Sequence, residues 1–121
     1  MITATFKKRS NQFVSYSVKG HANYAPNGQD IVCAGVSALY TAVTNVLIEQ
    51  HDAALDGDDT VQLGSINDSQ YIVAVLHMNL VEIAKEYPDY VEIINVVEEP
   101  VIDFSRITAG VLKAEEITSQ F

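Results

Sequence analysis

An α/β (α+β) domain built on a small mixed sheet is the fold class this sequence predicts, on three observations. Four short stretches, 2–7, 12–19, 60–65 and 90–97, carry the two-residue apolar alternation of half-buried strands. Two longer segments, 30–49 and 68–86, have the length and apolar content of helices. The resulting order, ββαβαβ, lets two helices bury their apolar faces on one sheet of about four strands. At 121 residues the chain reads as one domain over 1–97 followed by a C-terminal segment over 98–121.

Each element has its own justification. Ile2, Ala4 and Phe6 alternate with Thr3, Thr5 and Lys7, and Val14, Tyr16 and Val18 repeat the pattern on a second strand. The polar Arg9-Ser10-Asn11 between them reads as a hairpin turn. A loop with two glycines and a Pro26-Asn27-Gly28 turn signal follows. Asp30 is the predicted N-cap of the first helix, which runs to about Glu49. Residues 55–59 read as an acidic loop, and Val61 and Leu63 share one face of a short strand. In the second helix Ile72, Leu76, Leu80, Ile83 and Tyr87 fall at near-helical spacing, with Asn67 or Asp68 as cap and Pro88 as the stop. Val91, Ile93 and Val97 occupy one side of the last strand. Beyond it, Ile107, Val111 and Leu112 fit the inner face of a short helix opening near Ser105, although Gly110 counts against it.

Charge and cysteine usage narrow the function. Seven Lys and Arg against sixteen Asp and Glu leave a formal charge of −9. That balance argues against nucleic acid, whose phosphates require a basic footprint, and suits a basic partner. One cysteine excludes an internal disulfide framework and fits a reducing compartment. The apolar run 31–48 has the length of a membrane span, but Ser37, Thr41, Thr44 and Asn45 interrupt it. It reads as a buried helix or one at a dimer interface. The opening MITATFKKRS lacks the apolar core and cleavage site of a signal peptide, so a cytoplasmic protein is expected.

The loop-to-helix junction carries the chemistry. With Asp30 as cap, Cys33 is the third residue of the helix, where free backbone N–H groups and the positive end of the dipole favour a thiolate. Asp30, Cys33 and Ser37 share one helical face. His21, in the preceding loop, is placed to fold back over that face as a base. The N–H groups near Cys33 and Ala34 are candidates for an oxyanion hole. On spacing alone an inert core cysteine and a solvated loop histidine are the commoner reading.

The run Gly20-His21-Ala22, then Gly28, then Asp30-Ile31-Val32-Cys33-Ala34-Gly35, then Ser37-Ala38 resembles the ribosomal-processing cysteine protease Prp family. The resemblance is specific in spacing and identity over these twenty residues and looser over 1–97. It implies a bacterial homodimeric endopeptidase that removes a short N-terminal extension from large-subunit ribosomal protein twenty-seven during ribosome assembly. It implies Cys33 as nucleophile, His21 as general base and acid, and supporting roles for Asp30 and Ser37. The segment 98–121 has no counterpart in that pattern.

Other residues take lesser readings. Tyr24, Ala34 and Gly35 are candidate substrate contacts, and the loop 22–29 a candidate lid. Gly35 costs about 1 kcal/mol in a helix relative to Ala, which a close-packed neighbour, backbone or substrate, would explain. His51 suits the helix C-terminus, and His77 reads as a surface or interface residue. Asp56-Gly57-Asp58-Asp59 reads as a solvated turn, since the rest of a calcium loop is missing. No metal and no cofactor is expected. Two rivals to the protease remain: a non-catalytic ribosome-assembly adaptor on the same fold, and a thiol hydrolase acting on another peptide or ester.

Overall fold

Ser10 and Asn11 both adopt positive φ, 52° and 62°, the two-residue turn geometry whose twist matches that of paired strands. They join β1 (Ile2–Arg9) to β2 (Gln12–Gly20) in an antiparallel hairpin. The structure, a computed structural model, describes residues 1–26 and 29–98. After β2 come α1 (Ile31–Gln50), β3 (Ala54–Leu55), β4 (Val61–Gln62), α2 (Ile66–Glu86) and β5 (Val91–Glu98). Gly28 and residues 99–121, including the helix expected near Ser105, lie outside the described residues.

Among the described residues the sheet has five strands in the order β3-β4-β2-β1-β5, one more than expected. The extra strand is a two-residue pairing at the edge of the segment read as an acidic loop. Two residues are too few to show periodicity, and Asp56 completes the turn by accepting the N–H groups of Asp58 and Thr60. The sheet is mixed because β5 runs parallel to β1 while its other pairings are antiparallel.

Both helices lie against one face. Phe6 and Tyr16 sit opposite each other across the hairpin and point to that face. The Tyr16 hydroxyl meets Thr44 of α1 at 2.7 Å, and the Phe6 ring meets His77 of α2 edge-on at 4.7 Å. Phe6, Tyr16, Leu47, Leu76 and Leu80 are fully buried, each stabilising the fold by about 1.5–3 kcal/mol through burial.

Three local expectations shift. A bulge between Lys7 and Lys8 leaves Val14 as the extra residue of β2. That shift turns Phe13 inward, where Gln70 of α2 bonds both its N–H and its carbonyl. The second helix starts at Ile66 with Ser65 as N-cap, and no side chain caps it. Val97, expected on the inner side of the last strand, is 70% exposed because β5 extends past its cover. The inner positions Val91 and Ile93 pack as expected.

Candidate active site

β2 ends in a residue that has to be glycine. Gly20 has a φ of 93°, and a Cβ there would run into the carbonyl oxygen of Met1. The chain then passes through exposed His21 to Ala22, which is buried in the core. Asn23 follows at a φ of 56°, a conformation asparagine tolerates better than most side chains. The histidine is therefore held between a fixed glycine and a buried alanine.

Asp30 closes the loop and opens α1. Its Oδ1 accepts the N–H of Cys33 at 2.9 Å, and its Oδ2 accepts the N–H of Tyr24 at 3.0 Å. These backbone donors, Cys33 first, hold its carboxyl below the usual carboxylate range. With both oxygens taken by the backbone, Asp30 organises the loop and the helix start.

Cys33 is half-buried on the first turn. It lines an open cavity of about 590 Å³ together with His21, Asn23, Gln29 and Ser37. Asp30 and Ala34 also border that space. On its other side Cys33 borders a smaller cavity of about 150 Å³, walled by Ile2, Val18, Val36 and Tyr40. Cys33 thus borders both spaces, each lined by polar and apolar residues together. Of the residues singled out in the sequence, His21, Asp30, Cys33, Ala34 and Ser37 converge here.

Two expectations about this site change. The N–H of Cys33 donates to Asp30 Oδ1, and that of Ala34 donates to the Asp30 carbonyl at 3.0 Å. Neither N–H is left over for an oxyanion, because the cap and the helix ladder consume them. Of the two explanations for Gly35, the close-packed backbone falls away, since no neighbour outside its own helix backbone lies within 4 Å of the position a Cβ would take. No group of three or more His, Cys, Asp or Glu among the described residues is placed to hold a metal ion.

The family model for cysteine protease Prp matches residues 1–92. This chain belongs to the Prp family. The ribosomal processing cysteine protease Prp of Bacillus subtilis (strain 168) is 43% identical over 49 residues, 40% of this chain and 44% of that relative. The match thus spans less than half the length of this curated relative. The essential ribosomal processing protease Prp from S. aureus, solved with a covalently linked product peptide, superposes with a TM-score of 0.68 at 25% identity. That superposition covers 78% of this chain and 99% of the other. SMU.848 from Streptococcus mutans shares the fold, with a TM-score of 0.66 at 24% identity over 81% and 96% of the two chains.

Several members of this Prp site escape sequence reading. Asn23 and Gln29 border the cavity, and nothing in their spacing marks them. Tyr24 does not line that cavity; its ring packs edge-on against Tyr87 at 5.5 Å and Tyr90 at 5.1 Å. Those two tyrosines lie more than sixty residues away in sequence, so only the fold brings the three together.

Proposed function

We propose that this chain is a cysteine endopeptidase of ribosome assembly, acting in the cytoplasm as a homodimer. It removes the N-terminal extension of large-subunit ribosomal protein twenty-seven. The observation that carries this reading is the placement of Cys33 and His21 on one open cavity at the start of a helix. The Cys33 thiolate attacks the scissile carbonyl carbon, forming the C–S bond. His21, carrying the proton taken from the Cys33 thiol, then protonates the departing amine as the C–N bond breaks. It afterwards takes a proton from the water that attacks the thioester, and the C–S bond breaks to release the Cys33 sulfur.

The oxyanion of each tetrahedral intermediate is met by side-chain donors on the cavity, Asn23, Gln29 or Ser37. The smaller cavity beside Cys33, lined by Ile2, Val18 and Val36 together with Ser37 and Thr41, is a candidate pocket for a side chain of the extension. The charge of −9 favours encounter with a basic ribosomal protein.

The test is cleavage of the precursor by Cys33→Ala and His21→Ala. Both variants are expected to fold and dimerise as the wild type and to lose cleavage. A well-folded Cys33→Ala protein that still cuts the precursor overturns the mechanism. Wild-type cleavage of unrelated peptides, with the precursor left intact, replaces the substrate and keeps the chemistry.

A further inference from the structure

We infer that Tyr24 is a positioning residue, whose ring between Tyr87 and Tyr90 fastens the His21 segment to the α2–β5 turn and sets where His21 stands at the cavity. The inference rests on His21 and Cys33 being the working pair.

Three observations carry it. The Tyr24 ring meets Tyr87 at 84° and Tyr90 at 78°, both edge-to-face, the arrangement that aromatic quadrupoles favour. Its partners are themselves fixed. The N–H of Tyr87 bonds the Ile83 carbonyl at 2.8 Å, that of Tyr90 bonds the Tyr87 carbonyl at 3.0 Å, and the Tyr90 carbonyl accepts the N–H of Ile2 at 2.8 Å. Finally, the backbone of Tyr24 is tied to Cys33 through one carboxylate, since Asp30 accepts the N–H groups of both.

Together these make a continuous mechanical path. The sheet holds the α2–β5 turn, the turn holds the Tyr24 ring, and Tyr24 with Ala22 brackets Asn23 in its left-handed conformation. His21 is the next residue before Ala22. The Tyr24 ring takes no part in lining the cavity, so its effect on substrate is indirect. Displacing a reacting group by about 1 Å costs roughly a hundredfold in rate, so a histidine on an exposed segment gains from such an anchor.

Tyr24→Ala, Tyr24→Phe and Tyr87→Leu separate the possibilities by steady-state cleavage of the precursor. Tyr24→Ala is expected to lower kcat about tenfold or more, with KM within about twofold. Tyr24→Phe keeps the ring and is expected to restore kcat. Tyr87→Leu breaks the clamp from the opposite side and is expected to reproduce the kcat loss. Cys33 alkylation by iodoacetamide is measured alongside, and Tyr24→Ala is expected to lose the part of the rate that His21→Ala also loses. Wild-type kcat in Tyr24→Ala overturns the inference, and so does a rise in KM at constant kcat, which makes Tyr24 a substrate contact. Full cleavage by His21→Ala instead overturns the pair on which the inference rests, and that arm identifies which of the two has failed.

Discussion

The carboxylate of Asp30 and the backbone N–H of Cys33 lie 2.9 Å apart, so the residue that caps α1 also fixes the orientation of the peptide carrying the thiol. The same carboxylate holds Tyr24, which makes it a junction between loop and helix. Asp30→Ala is expected to lower Tm and to reduce cleavage, while Asp30→Asn, which keeps an acceptor, retains more of both. The pH dependence follows from its depressed pKa. The contribution of Asp30 is complete above its ordinary value of 3.8 and is lost as pH falls through the lower folded value. Thermal melts of wild type and Asp30→Asn between pH 7 and pH 2 are expected to converge at the acid end.

Gly20→Ala tests the entry to the site. An alanine at a φ of 93° is strained, and its Cβ meets the Met1 carbonyl. Urea denaturation is expected to show a loss of upwards of about 1 kcal/mol. Cleavage is expected to fall further than stability explains, because His21 is the next residue.

Gly35→Ala is expected to work in the opposite direction. The position is helical and open, so alanine stabilises by about 1 kcal/mol relative to glycine. A glycine in the second turn, where an added Cβ would meet nothing, fits a surface kept low for a passing peptide. The stabilised variant is accordingly expected to show a KM raised severalfold at unchanged kcat.

Tyr16 of β2 and Thr44 of the site helix form a buried hydroxyl pair between sheet and helix. Tyr16→Phe or Thr44→Val alone leaves one hydroxyl unmatched and is expected to cost about 1–3 kcal/mol. The double variant is expected to recover most of that loss, which a double-mutant cycle of urea midpoints reads directly. Burial, partly offset by the Thr44 bond, pushes the Tyr16 pKa from 10.0 up to about 12. Its stabilising contribution is therefore full below pH 10 and disappears as pH rises towards 12. Tyr16→Phe removes that alkaline sensitivity.

Legibility in the sequence followed the range of each interaction. The hairpin, α1 with its Asp30 cap, and the inward stripe of α2 were readable because period and capping act within a few residues. The Val14 bulge was not, since alternation predicts a face only while the register holds. The start of α2 at Ser65 is not legible, because Ser65 also fits the end of the preceding strand and Asn67 and Asp68 are competing cap residues. At the site, the convergence of His21, Asp30, Cys33 and Ser37 was legible through one contiguous motif. The loss of the Cys33 and Ala34 N–H groups to Asp30 was not, because a cap and an oxyanion hole draw on the same donors. The contact of Tyr24 with Tyr87 and Tyr90 depends wholly on tertiary structure.

The parallel pairing of β1 with β5 has a temporal consequence. Ile2 sits opposite Gly20 on one side and Val91 on the other, so the strand beside the site is completed by a partner 89 residues later. At the usual pace of synthesis, about 5–20 residues per second, roughly 5–20 s separate these two strands on the ribosome. During that interval β1 offers an unpaired edge, and the Tyr24 ring lacks the Tyr87 and Tyr90 partners made just before β5. The sheet beside the site is thereby completed only once the last strand of the described residues has been made.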